Sequence, residues 1–103
     1  MSEVNFGALS QLYLMQLAGL VYSDGSRIEN PSEAQIKESK RYGRAGLKRL
    51  TQEDYGYNVL DWFEYLVVDA DDDCGITHAW GYRYMRKVLK ELGVDLPYKK
   101  DLI

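Results

Sequence analysis

Between Glu3 and Asp24 the chain carries no charged side chain, yet its apolar residues recur at helical steps. Leu9, Leu12, Tyr13, Leu17, Leu20 and Val21 repeat every three or four positions, and Leu14, Met15 and Ala18 widen the apolar surface almost all the way round. A helix of that kind needs cover on most sides, from lipid or from other helices. Asn5, Ser10, Gln11, Gln16 and Ser23 interrupt the stretch, and Gly7 and Gly19 weaken it. It therefore falls short of the roughly 20 predominantly apolar residues of a membrane span. The expectation is a helix over about 6–22 at the centre of a bundle, and no membrane association.

With 103 residues there is room for one core and not two. Hydrophobic residues at 46% and charged residues at 28% are globular values, which excludes wholesale disorder. Cys74 is the only cysteine, so no intrachain disulfide framework exists and a reducing compartment fits. The opening Met1-Ser2-Glu3-Val4-Asn5 lacks the basic region of a secretory signal, and the expected location is cytoplasmic.

Three more helices are marked by start and stop signals. Asn30 as N-cap, Pro31 at the first helical position and Glu33 at the capping-box position predict a second helix over about 32–50. Gly43 and Gly46 fall inside it and each costs about 1 kcal/mol against alanine, which close approach of a neighbouring helix would offset. Thr51 is a further N-cap candidate, and Gly56 breaks the chain before a third helix over about 57–69. Thr77 caps a fourth over about 77–92, closed by Gly93, with Trp80, Tyr84, Met85, Val88, Leu89 and Leu92 as its apolar stripe. The tail 94–103 reads as extended. The fold expectation is a single all-α domain over 1–103, a bundle of about four helices without strands.

The net charge of −3 hides segregation. Residues 31–50 carry six basic and two acidic groups, residues 53–73 eight acidic and no basic groups, and Arg83, Arg86, Lys87 and Lys90 have no acid among them. Lys37, Arg41, Arg44 and Lys48 share one helix face, as do Arg83, Arg86 and Lys90. Like charges at such steps cost roughly 0.2–0.5 kcal/mol per pair, so helix stability does not ask for them. They are solvated, neutralised by the acidic segment, or turned towards something acidic outside. A sequence pI near 5.1 speaks against nucleic acid as the main partner, since nucleic-acid-binding domains usually lie above about 9. The two stripes are the candidate residues for that alternative.

The acidic loop is the other candidate site. Asp69, Asp71 and Asp73 have the 1, 3, 5 spacing of a calcium loop, but position six is Cys74 instead of glycine and position twelve is Trp80 instead of a bidentate carboxylate. The loop resembles a degenerate EF-hand, with divalent-metal binding as a third reading. The paired acidic turns, Ser23-Asp24-Gly25-Ser26 and Asp69 to Gly75, are distantly similar to those of tellurite-resistance-type helical domains. That likeness covers the two turns alone and carries over no site residue. Cys74 and His78 do not make a zinc site, which needs four ligands. No glycine-rich phosphate loop, G-x-S-x-G or H-E-x-x-H occurs, and so small a domain leaves little room for a cleft of about 300 Å³ beside its core. No cofactor and no enzymatic activity are expected.

Nine tyrosines against two phenylalanines is a skewed set. Tyrosine suits half-exposed interface positions. Tyr55, Tyr57, Tyr65 and Tyr82 fall outside the main apolar stripes and neighbour the acidic segment of Asp61, Glu64, Asp69, Asp71, Asp72 and Asp73 or the start of the fourth helix. Together these predict an acidic, tyrosine-rich surface that docks on a basic site of a protein partner, as an inhibitor or adaptor does.

Overall fold

A computed structural model describes residues 6–24, 26–66 and 79–97. Four helices are described: α1 (Phe6–Leu17), α2 (Glu33–Thr51), α3 (Val59–Glu64) and α4 (Ala79–Glu91). Between α1 and α2 lies a small antiparallel hairpin of β1 (Tyr22–Ser23) and β2 (Ser26–Arg27), with Tyr22 opposite Arg27 and Ser23 opposite Ser26. The chain is therefore mostly helical but not purely α.

Helix α1 takes the central place its composition demands. It packs on each of the other three helices. Leu14 and Leu17 on α1, Leu47 on α2, Trp62, Phe63 and Leu66 on and just after α3, and Met85 and Leu89 on α4 are all but completely buried. The Cα radius of gyration, 13.0 Å, is that of one compact domain of about 100 residues. No helix among the described residues is long and apolar enough to cross a membrane.

Helix α1 stops at Leu17, earlier than the periodicity suggests, because the chain turns through Gly19 at φ +111°. The apolar residues beyond it, Leu20 and Val21, lead into the hairpin. Ile28 N–H donates to the Val21 carbonyl at 2.8 Å and extends the pairing by one step. The true cap of α2 is Ser32, not Asn30. Ser32 Oγ accepts from Gln35 N–H at 3.1 Å, and Gln35 Oε1 accepts from Ser32 N–H at 2.8 Å, a complete capping box. Asn30 sits at φ +53°, a left-handed turn position that asparagine tolerates.

Gly43 and Gly46 are where α1 and α2 cross. A Cβ on Gly43 would stand 2.6 Å from Leu17 N and closer still to the Tyr13 carbonyl oxygen. One on Gly46 would stand 2.5–2.6 Å from the Tyr13 ring. At Gly43 the helices touch backbone to backbone, and at Gly46 the Tyr13 ring takes the space a side chain would fill. Ser39 seals the same side by donating to the Leu20 carbonyl at 2.5 Å.

Thr51 is the last residue of α2 rather than the cap of a further helix. Its hydroxyl donates to the Leu47 carbonyl at 2.7 Å and accepts from Glu53 N–H at 3.1 Å, and Gln52 closes the helix in the left-handed region. Asn58 caps α3 by accepting from Asp61 N–H at 3.0 Å. Gly93 ends α4 at φ +82°, as its position predicts. The expected cap Thr77, residues 67–69 of the expected third helix and the tail beyond Pro97 lie outside the described residues.

Candidate functional site

The surface around α3 starts from one ion cluster. Asp54 comes just after the left-handed cap of α2, and its carboxylate turns back on that helix. Arg44 grips it with two parallel bonds, Nε to Oδ1 at 3.1 Å and Nη2 to Oδ2 at 2.8 Å, while Lys48 Nζ stands 3.7 Å from Oδ2. Gly56 N–H donates to Oδ1 at 2.9 Å, a bond that Gly56 makes at φ +64°. The Arg44 guanidinium holds the Asp54 carboxyl far below the usual carboxylate range, assisted by the Gly56 amide. Arg44 is raised in turn, first by Asp54 and then by Tyr57, whose ring lies 4.9 Å beneath the guanidinium.

An aromatic roof stands beside this cluster. The Tyr55 ring meets the Trp62 ring edge-on, with centroids 5.1 Å apart and an interplanar angle of 84°, and lies 5.3 Å from the Tyr65 ring. Trp62 is wholly buried, and its Nε1–H donates to the Gly56 carbonyl at 2.9 Å. The buried side of α3 is thus fixed by Trp62, Phe63 and the loop that precedes it.

The other side of α3 is open. Asp61 and Glu64 are exposed, with Leu60 (49% exposed) beside them and Tyr57 (50%) one turn before. Neither carboxylate forms an ion pair among the described residues. Of the residues predicted for the acidic face, Asp61, Glu64 and Tyr57 therefore lie on accessible surface. Tyr65 is half-buried and leans on the core and on Tyr55. Asp69, Asp71, Asp72 and Asp73 lie outside the described residues, as do Cys74 and His78, and Tyr82 sits on α4 near its start. Tyr55 is exposed at the edge of that face, and Leu60 went unpredicted. Leu60 falls three residues after Tyr57 and four before Glu64, a spacing that puts an apolar side chain among the acids.

The two basic stripes are divided in use. On α2, Arg44 and Lys48 are engaged with Asp54, and Lys37 and Arg41 are exposed. On α4, Arg86 reaches over the tail and donates to the carbonyls of Leu96 and Pro97, the latter at 2.9 Å, while Arg83 and Lys90 are exposed. Half-buried Arg86 thereby pins a segment whose Leu96 is buried in the core.

A third feature binds the hairpin to α4. Arg27 Nη1 approaches Glu91 Oε1 at 3.3 Å, and the Tyr22 hydroxyl donates towards Met15 Sδ at 3.6 Å. Burial, together with a hydrogen bond to Tyr84, pushes the Tyr22 phenol well above its ordinary value, so it stays protonated at any physiological pH.

Among the described residues no group of three or more His, Cys, Asp or Glu side chains is arranged to hold a metal ion. No known protein family matches the chain, and neither a curated protein nor a solved structure matches it.

Proposed function

We propose that this protein is a non-enzymatic binding domain, of the inhibitor or adaptor kind, whose α3 surface docks on a basic site of another protein. The observation that carries the reading is the contrast among the acids of residues 53–64. Asp54 is held by Arg44 and Lys48, whereas exposed Asp61 and Glu64 have no cation of their own chain among the described residues. A carboxylate pair flanking an exposed Leu60 and next to Tyr57 combines charge for steering with apolar area for contact. The aspartates 69, 71, 72 and 73 continue the same acidic stretch of the chain and would add to its field. The lone cysteine is in keeping with a place in the cytoplasm. The nucleic-acid reading draws less support, since Arg44, Lys48 and Arg86 are engaged within the chain.

The test is affinity capture from native lysate with three forms of the protein: wild type, D61N/E64Q with L60A, and K37Q/R41Q/R83Q. The reading expects proteins that wild type and the basic-stripe variant both retain, that the α3 variant loses, and that elute as salt rises past the Debye-screening range. Identical recovery with the α3 variant would refute it. Loss confined to the basic-stripe variant, abolished by nuclease, would favour nucleic acid instead.

A further inference from the structure

The hairpin, α1 and the first half of α2 line an open groove of about 790 Å³ to which α3 contributes no residue. A domain of this size was not expected to have room for one; the turn at Gly19 and the hairpin after it create the space. The volume is that of a small-molecule pocket. Leu12, Val21 and Ala34 form its apolar walls, and the ring of Tyr42, 59% exposed and braced by Tyr13 at 6.5 Å, forms one side.

The charged groups facing this groove are of one sign. The Ser39 hydroxyl is spent on the Leu20 carbonyl, and Gln35 Oε1 on the Ser32 amide. The Tyr22 hydroxyl is turned towards Met15 Sδ, and the charged groups that remain are the carboxylates of Asp24 and Glu38. No lysine, arginine or histidine is found among the described residues that line the groove. Both charges are negative, and the walls are apolar. An anion would leave both carboxylates without a counter-charge and add a further negative charge beside them.

We propose that this groove binds a small amphipathic amine, protonated at neutral pH. Its apolar body lies against Leu12, Val21 and Ala34, and its ammonium group is held by Glu38 and Asp24 beside the face of Tyr42, where a cation gains from the ring quadrupole. The site is separate from the α3 surface and does not depend on it.

Titration of the full chain with tryptamine, monitored in two-dimensional amide NMR spectra, tests this, with indole-3-acetate as a probe of matched ring and opposite charge. The expected result is saturable shifts centred on residues 12–22 and 34–42 for tryptamine and none that saturate for indole-3-acetate. Glu38 and Tyr42 are surface positions, so E38Q and Y42A should keep the wild-type spectrum and each weaken tryptamine binding roughly two- to fivefold. D61N/E64Q should bind tryptamine as wild type does, which separates this site from the protein-docking surface. Equal binding of the two indoles, no saturation by tryptamine, no effect of E38Q and Y42A, or saturation of the groove by a lysine-rich peptide but not by tryptamine would each overturn the assignment.

Discussion

Helix α2 meets its neighbours in two different ways. At Gly43 and Gly46 it lies against α1 with no side chain of its own between the two backbones, and the contact is uncharged and buried. At Arg44 and Lys48, on the same turns, it reaches outward to Asp54 and Tyr57 through long side chains that remain a third to a half exposed. The first contact is a matter of shape, where a single carbon atom decides the outcome. The second is electrostatic and screened by water, so it can set the position of a loop without dominating stability. The helix crossing defines the fold, and the ionic rim determines which acids are paired within it.

The sharpest way to break this comparison is at the crossing. Alanine is the better helix former by about 1 kcal/mol, so propensity alone predicts that G43A stabilises. The backbone on the far side cannot yield, and G43A should instead destabilise by about 3 kcal/mol in urea unfolding. G46A should cost less, because the Tyr13 ring can shift where backbone cannot. A stabilised G43A would mean that the helices do not approach as closely as described. Next in size is W62F, which trims the core and orphans the Gly56 carbonyl. A loss of about 2 kcal/mol is expected. The readout specific to the rim is a change in the environment of Tyr55 and Tyr57 in aromatic NMR spectra.

Two predictions concern protons. Tyr22 has its folded-state pKa raised, so its contribution is complete below the unfolded value of about 10 and is lost as the pH climbs above it. Y22F should cost about 1 kcal/mol at neutral pH, for the lost hydroxyl contacts, and should flatten the alkaline fall in stability. An unchanged alkaline limb would contradict the burial of that hydroxyl. Asp54 is the opposite case. Its folded-state pKa is depressed, so its contribution is complete above the unfolded value of about 4 and is lost as the pH falls below it. D54N should be less stable than wild type at pH 7, and the two should converge in acid. Added salt should narrow the gap at pH 7, because both partners are partly exposed.

Much of the architecture was legible because it rests on local chemistry. The uncharged, many-sided helix had to be central, and Gly43 and Gly46 had to mark a close approach, since no other reason for two glycines inside one helix was at hand. Gly93 as terminator needed only its own backbone freedom. The misreadings were equally local. Asn30-Pro31 and Ser32 both offer cap signals two residues apart, and the competition went to Ser32 because Gln35 completes its box. Two-residue strands have no alternation to detect, so the hairpin at Tyr22–Arg27 was hidden inside what reads as a turn. The site was less legible than the fold. Spacing placed Arg44 and Lys48 in a stripe, but nothing in the stripe shows that Asp54, across the end of the helix, bends back to take them. That pairing is a product of the loop through Gln52 and Gly56. The same tertiary fact leaves Asp61 and Glu64 open, and it exposes Leu60, whose place among them was visible only once α3 had been given a buried side.

The smallest expected effect is also the most informative. If α3's acids are unclaimed by the chain's own cations, removing one should cost almost nothing, and Glu64, near the C-terminal end of α3, gains nothing from the helix dipole. The measurement is the urea midpoint of E64Q beside that of D54N, at pH 7 and low salt. The account predicts that E64Q stays within about 0.5 kcal/mol of wild type or rises, while D54N falls. An E64Q midpoint as low as that of D54N would mean that Glu64 is already bound within the fold, and the acidic face would not be available to a partner.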